Sequence, residues 1–324
     1  MHVRPGLLDL LVLLVLVLPA LTGCTRPAHL ATCPGAGDQV TAPSTRKVLT
    51  AAAINPDSLR CNSIVRWETT LDQYAKQIAE GIASHWGTTP DAAQLKKARH
   101  HALGYLVRSF YEQTHLHNLG VTALRGLSWR DERGEHPVLV FRSSLIVAGS
   151  GPSPCFQTLI QDAHVRHVIN LYTGTFPFRD LIEAERRFAE QLGASYHDSA
   201  GAPSSNWRQL VEEEKDFAKN LQPASELIAR LIREQILRPG GQPPRGNLYF
   251  HCAGGMHRSG MIFGVLRRCV NGEPLSEIEA EYKHHVGWSS ATEPGGFEAL
   301  NLRLIREFDC SLLKQSGGAA PGKP

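Results

Sequence analysis

One segment late in the chain restricts the possible folds more than any other. An apolar run typical of a buried strand, Asn247–Phe250, leads directly into HCAGGMHRSG, and an apolar helical pattern, MIFGVLRRCV, follows at once. A strand and a helix joined by a short glycine-containing loop are the unit from which α/β folds are built. The segment therefore predicts a strand within a central sheet and a loop at the carboxyl end of that strand.

The pattern from residue 137 onwards agrees with an α/β fold. Short strand-like runs alternate there with helical patterns. The clearest strands are predicted within 137–149, at 167–171, around 194–197 and at 247–250. This alternation predicts a central, mainly parallel sheet flanked by helices.

The first residues of the chain are those of an export signal. Arg4 precedes an apolar run from Leu7 to about Leu21, a layout typical of a secretory signal and short for a membrane span. The run ends in LTGC, which resembles the lipobox of bacterial lipoproteins. We therefore expect Cys24 to be lipidated after residues 1–23 are removed, with a plain secreted protein and an uncleaved anchor as alternatives. The resemblance, with threonine after the cysteine, implies a lipid-anchored protein of the bacterial cell envelope, on the outer membrane and facing the periplasm.

Composition and apolar spacing divide the chain into five parts. Apolar side chains recur at helical spacing before the α/β region, for example at Leu71, Tyr74, Ile78 and Ile82. The predicted parts are a lipoprotein-type signal peptide (1–23), a flexible tether (24–45), a helical N-terminal segment (46–136), an α/β domain (137–312) and a disordered tail (313–324).

Charge balance and histidine spacing exclude two classes of function. The chain has 34 Lys and Arg against 31 Asp and Glu, which is too balanced for a protein that coats nucleic acid. The histidines show no zinc-binding spacing. A solvated helix surface is predicted for the His-rich stretch, with a metal site as the alternative: His100, His101, His115 and His117. We expect no nucleic-acid partner, no metal and no other cofactor.

The loop after the late strand carries groups that suit phosphate chemistry. Cys252 follows the strand, and Gly254 and Gly255 permit a tight loop whose amides point inward. Such amides, at the positive end of a helix, bind a tetrahedral oxyanion, and the planar fork of Arg258 matches two of its oxygens. The same positive field is expected to lower the pKa of Cys252 and provide a thiolate nucleophile. His251 is expected to orient the loop through backbone contacts.

These residues form the pattern H-C-x5-R-S-G, which resembles the signature of the cysteine-dependent protein tyrosine and dual-specificity phosphatases. The stretches FRSS, HVINLYTG and RSGMIFGVLRRCVNGEPLSEIEAEY are also similar to parts of bacterial members. The resemblance implies a phosphatase-type catalytic domain over residues 137–312, which hydrolyses phosphomonoesters through a phosphocysteine intermediate. It assigns catalysis to Cys252 and Arg258, with Ser259 hydrogen-bonding the sulfur as it leaves. It assigns phosphate binding to Ala253, Gly254, Gly255, Met256, His257 and Arg258.

The family uses an aspartate on a mobile loop as the general acid that protonates the leaving oxygen. Asp198 is the nearest candidate, because a loop rich in Gly, Pro and Ser follows it and can close over a substrate. Two alternatives remain open. One is Asp216 in a helical pattern, and the other is that the chain has no direct equivalent of this acid.

The residues inside the loop indicate the class of substrate. The variable positions of the loop hold no lysine, and only His257 can carry a positive charge, unless it packs beneath the loop instead. This favours a phosphorylated protein or a small phosphomonoester as the partner. The alternatives are an inositol phosphate or other small-molecule phosphatase of the same fold, and a phosphate-binding pseudophosphatase without turnover.

The remaining cysteines have two interpretations. In the first, Cys33 pairs with Cys61 in an oxidising envelope, and one cysteine of the α/β region forms a reversible disulfide with Cys252. The candidates in that region are Cys155, Cys269 and Cys310. In the second interpretation these cysteines are buried small apolar residues.

Overall fold

The computed structural model describes residues 43–61, 68–85, 91–114, 118–148, 151–174, 178–199, 202–286 and 297–314. Its strands are β1 Gly120–Asp131, β2 Gly134–Ser143, β3 Val147–Ala148, β4 Gly151–Pro152, β5 Val165–Asn170, β6 Ser195–Asp198 and β7 Asn247–His251. Its α-helices are α1 Pro43–Ala51, α2 Glu68–His85, α3 Ala92–Thr114, α4 Pro154–Gln161, α5 Arg179–Gln191, α6 Glu214–Leu231, α7 Arg258–Leu266, α8 Leu275–Val286 and α9 Phe297–Glu307. Shorter 3₁₀ helices are Pro203–Val211, Pro239–Gly241 and Cys310–Leu313, and π turns at Ile232–Ile236 and Arg267–Asn271 extend α6 and α7.

Five strands form one twisted, mixed sheet in the order β1-β2-β7-β5-β6. The pairs β2–β7, β7–β5 and β5–β6 are parallel, and only β1 runs antiparallel, as a hairpin with β2. The prediction of a central, mainly parallel sheet flanked by helices is confirmed. The parallel strands end at the same edge, so the segments that follow β2, β5, β6 and β7 meet there.

The central strand β7 is buried along its whole length because helices cover both faces of the sheet. Leu248 and Phe250 point into an apolar core that also contains side chains from α6, α7 and α9. Tyr249 points the other way, into a second core formed with α4 and α5. This period of two determines which side each neighbouring residue faces, and His251 therefore lies on the same side as Tyr249.

The predicted helical segment 46–136 is correct only in part. Helices α1 to α3 lie within it, but β1 and the start of β2 also lie there, so the prediction of helix for this last portion is wrong. Four of the twelve residues of β1 are buried, all of them within its first five positions, and the remaining residues are partly exposed or exposed. An irregularity in the β1–β2 pairing, with Gly126 at a φ of 77°, interrupts the alternation that would have indicated a strand.

Both disulfides of the described residues correct the sequence interpretation. Cys61 bonds to Cys155 rather than to Cys33, and Cys269 bonds to Cys310, so none of them pairs with Cys252. Among the described cysteines, only Cys252 is a free thiol. The Cys61–Cys155 bond spans 94 residues and attaches the segment after α1 to α4. Sequence spacing does not reveal such partners, because the tertiary fold brings them together.

Several expectations concern residues outside the described ranges. These are the signal peptide with Cys24, most of the tether, Cys33, His115, His117 and nearly all of the tail. His100 and His101 are described and are exposed on α3. Within the described part of the chain, no helix is both long enough and apolar enough to span a bilayer, and no group of three or more ligand-type side chains is placed to hold a metal ion.

Candidate active site

The loop between β7 and α7 places a thiol at the carboxyl edge of the sheet. Cys252 follows the last residue of β7, its residue surface is 6% exposed, and α7 begins six residues later at Arg258. Gly255 has a φ of +68°, in the left-handed region that favours glycine. A Cβ atom at this position would also collide with the backbone of Ser143 and Ser144. The tight turn therefore requires glycine at 255.

Side chains from distant parts of the chain hold the outer carbonyls of this loop. The Asn118 side-chain amide donates to the carbonyl oxygens of Gly254 at 3.0 Å and Gly255 at 3.1 Å, and the guanidinium of Arg142 also donates to Gly255. The Leu145 amide donates to the Ala253 carbonyl at 3.1 Å. Because the N–H of a trans peptide points away from its C=O, these contacts turn successive amides toward the interior of the loop, as anion binding requires.

A buried charged cluster supports these contacts from behind. His285 bonds through Nδ1 to the side-chain oxygen of Asn118, and its Nε2 lies 3.6 Å from Glu281 Oε1. Glu281 Oε2 lies 2.6 Å from Arg267 Nη1. Burial raises the pKa of Glu281, but His285 and the guanidinium groups of Arg267 and Arg142 outweigh burial and lower it to about 2. The carboxylate is therefore charged at all ordinary pH values, and the cluster anchors Asn118.

The Cys252 thiol lies in surroundings that favour its ionised form. Burial raises the pKa of the thiol, but the hydroxyl and amide of Ser259, the charge of Arg258 and the amide of Gly255 lower it by more. The Ser259 Oγ is 3.3 Å from the sulfur and is fully buried. The net result is a pKa below the ordinary value of a free thiol, which increases the thiolate fraction at neutral pH.

Arg258 is the first residue of α7 and is partly buried beside the thiol. Burial lowers the pKa of this guanidinium, and the opposing charges of Cys252, Glu212 and Tyr172 act to raise it. Its Nε is buried and has no hydrogen-bond partner among the described residues. A buried donor without an acceptor is costly, so this nitrogen suits an anionic oxygen supplied by a ligand.

Met256 and His257, the last two loop residues before Arg258, differ in burial and in what they can offer a bound anion. Met256 is 5% exposed and its side chain packs into the core shared with α6 and α7, so it can face a bound anion only through its backbone amide. His257 precedes α7, is partly exposed, and its carbonyl accepts the Met261 amide at 2.9 Å.

The structure places Asp198 as the last residue of β6, within a strand. Its Oδ2 lies 3.4 Å from Arg186 Nη2, and the Asn170 side-chain amide donates to Oδ1 at 3.3 Å. Asn170 of β5 is in register with both Asp198 and His251, so two strand spacings, about 10 Å, separate the Cα atoms of Asp198 and His251. Asp216 lies in the first turn of α6.

Sequence reasoning missed Arg208, which lies in the 3₁₀ helix after β6. Its side chain is 15% exposed and its Nη1 is 3.0 Å from Glu212 Oε1. Burial lowers the pKa of Arg208 to about 10, with the charges of Glu212, Arg258 and Cys252 also acting on it. A second guanidinium therefore shares the electrostatic environment of Cys252 and Arg258. The segment NWRQLVEEE contains no motif that would have assigned Arg208 to this site.

No protein-family model and no curated protein matches this chain. Solved structures give partial matches. The chain is similar to the core catalytic domain of the PP-IP phosphatase Siw14 from S. cerevisiae in complex with citrate, with 19% identity and a TM-score of 0.34 over 54% of this chain and 84% of that one. A second structure of the Siw14 catalytic core matches with 19% identity and a TM-score of 0.32, over 54% of this chain and 83% of that one. At this degree of similarity neither structure assigns an activity to this chain.

Proposed function

We propose that the chain is a phosphomonoester hydrolase in which Cys252 is the nucleophile and Arg258 binds the phosphoryl oxygens. The observation that carries this function is a thiol of lowered pKa, in a loop whose carbonyls are turned outward, beside an arginine with an unpaired buried Nε. A thiolate, inward amides and a guanidinium are the groups needed to attack phosphorus and stabilise the charge on its oxygens.

The reaction has two steps. In the first, the Cys252 thiolate attacks phosphorus, an S–P bond forms, the ester P–O bond breaks, and the leaving oxygen takes a proton. In the second, water attacks the phosphocysteine, the S–P bond breaks, inorganic phosphate leaves and the sulfur returns as thiolate. The Ser259 hydroxyl, 3.3 Å from the sulfur, donates a hydrogen bond that stabilises this departing thiolate.

The general acid of the first step is assigned to Asp198, as the family resemblance implies. The Asp198 carboxylate must then leave Arg186 and turn toward the substrate. A positioned acid contributes about 10²–10⁴ in rate, so an enzyme without it would be slow but not inactive.

A substrate with a second phosphate is the second candidate, and Arg208 favours it. A phosphate bound at Arg258 places its neighbouring groups within the field of a second, partly buried guanidinium, that of Arg208. An inositol phosphate or another small molecule with several phosphates would use both charges, whereas a phosphotyrosine peptide would use one. The Arg208→Ala variant should lose about tenfold more activity on the multiply phosphorylated substrate than on a phosphotyrosine peptide, because it loses a hydrogen bond between charged groups. Arg130→Ala, which removes a 77% exposed guanidinium on the β1–β2 hairpin, is the matched control.

Turnover of an aryl phosphate tests the reaction itself. Phosphate release that is inhibited by vanadate and unaffected by EDTA is expected, and Cys252→Ser should lower it at least about a thousandfold while vanadate binding persists. A panel of phosphotyrosine peptide, phosphoserine peptide and inositol hexakisphosphate then separates the substrate classes. Wild-type protein that binds oxyanions but releases no phosphate would instead be a phosphate-binding pseudophosphatase.

We further propose that a lipid at Cys24 anchors the chain in the bacterial cell envelope, facing the periplasm. Two disulfides in the described residues support an oxidising compartment. Growth with a labelled fatty acid should label the wild-type protein and leave Cys24→Ala unlabelled. Equal labelling of both proteins would refute the anchor.

A further inference from the structure

The ring of His251 has an oxygen atom close to each of its two nitrogens. Nε2 lies 2.6 Å from Oε2 of Glu185 without the alignment of a hydrogen bond, and Nδ1 lies 3.3 Å from the carbonyl oxygen of Cys252. That carbonyl can only accept, so Nδ1 carries a proton. A neutral ring would then leave the lone pair of Nε2 beside a carboxylate oxygen, whereas an imidazolium places a positive N–H there. The arrangement therefore fits a positively charged His251 opposite a negatively charged Glu185.

The pair lies in the interior of the protein. The side chains of His251, at the end of β7, and Glu185, on α5, are both 0% exposed. An isolated charge at such a depth is costly, so each partner permits the other to remain ionised. Burial lowers the pKa of His251, but Glu185 and the neighbouring Cys252 outweigh burial, and the pKa is raised overall.

Other titratable groups around the pair do not replace Glu185 as the partner of His251. The Tyr249 ring stacks on His251 with centroids 5.5 Å apart. Tyr196 of β6 lies near Glu185, and burial together with the Glu185 charge raises its pKa, so it remains neutral. Arg186 lies over the Tyr196 ring, 5.2 Å from its centroid, and pairs with Asp198, so the charges of these two groups oppose one another.

We propose that Glu185 is a positioning residue for Cys252, acting through His251. Its carboxylate keeps the imidazole cationic and oriented, so that one N–H fixes the Cys252 carbonyl and the positive charge of the ring interacts with the charge of the Cys252 thiolate. This role rests on the proposed function only in naming Cys252 as the nucleophile. The effect on the sulfur is independent of any substrate.

The pH dependence of iodoacetamide alkylation at Cys252 measures the effect directly. In Glu185→Gln the histidine loses its counter-charge and becomes neutral, and the thiolate loses a neighbouring positive charge. The midpoint of alkylation should move up by about one pH unit, which is about tenfold less thiolate below the midpoint. Glu183→Gln removes a 67% exposed carboxylate from the same helix and is the matched control, expected to leave the midpoint unchanged.

Three outcomes test the role of Glu185. An unchanged or lowered midpoint in folded Glu185→Gln would overturn the role of Glu185. If that variant fails to fold, NMR of ¹⁵N-histidine-labelled wild-type protein decides: both ring nitrogens of His251 should carry protons at pH 7, and a neutral ring would overturn the proposal. A shifted midpoint in a protein that hydrolyses no phosphate ester would uphold the positioning role while refuting the phosphatase activity.

Discussion

Two regions at the carboxyl edge of the sheet differ in how far their functional side chains are buried. The loop that contains Cys252 is held by Asn118 and Arg142 behind it and by buried His251 and Ser259 within the fold. At the end of β6 the backbone is paired with β5, but the Asp198 side chain is 35% exposed, and its contacts with Asn170 and Arg186 are 3.3 and 3.4 Å long.

This difference has a chemical meaning for the proposed reaction. A thiolate and the amides that face its substrate gain from being arranged before the substrate arrives, because no reorganisation is then needed during the reaction. A general acid that must approach the leaving oxygen gains from mobility. The rigid region is the loop of the nucleophile and of phosphate binding, and the half-exposed side chain at the end of β6 is the acid.

The largest effect is expected from Asp198→Asn. If this carboxyl protonates the leaving oxygen, the variant should lose about 10²–10⁴ in kcat with an alkyl phosphate, whose leaving group needs the proton. The loss should be much smaller with an activated aryl phosphate. Steady-state kinetics on both substrates provide the measurement, with Asp216→Asn as the control. Equal losses on the two substrates would remove Asp198 from the acid role.

A smaller effect is expected from Asn118→Ala in the rigid region. The variant frees the carbonyls of Gly254 and Gly255, and a shift of these peptides should lower kcat by about 10- to 100-fold. Lost buried hydrogen bonds should also reduce the free energy of unfolding by about 1–3 kcal/mol. Asn55→Ala, at an exposed turn, is the control for thermal unfolding. If Asn118→Ala has the kinetics of the wild type, the loop keeps its shape without the Asn118 side chain.

The last prediction concerns the acid stability of the fold and Glu281, which supports Asn118 from behind. Its pKa is about 2 in the folded protein against an ordinary 4.5, so the carboxylate stabilises the fold above pH 4.5. This contribution should be lost as the pH falls from about 4.5 to 2, because the folded protein resists protonation that the unfolded chain accepts.

Urea unfolding between pH 6 and pH 2.5 measures this loss. Glu281→Gln should show a flatter dependence on pH than the wild type, and Glu277→Gln, exposed on the same helix, should follow the wild type. A wild-type slope in Glu281→Gln would mean that other carboxyls account for the acid sensitivity.

Local sequence was sufficient to predict the loop. The end of β7, the thiol, Gly255, Arg258 and the start of α7 lie within a few residues of one another, so covalent connection alone brings them together. The strand β1 was not predicted because the alternation of its side chains is broken at Gly126, where the pairing with β2 is irregular.

By itself the sequence determined a mainly parallel α/β sheet and a cysteine–arginine loop at the edge of that sheet. Only the tertiary structure decided what surrounds the loop: Glu185 beneath it, Asn118 behind it at a separation of 136 residues from Gly254, Arg208 beside it, and the pairing of Cys61 with Cys155. The physical reason is that hydrophobic periodicity specifies which face of an element is buried, whereas the partner of a buried polar group depends on how distant elements pack.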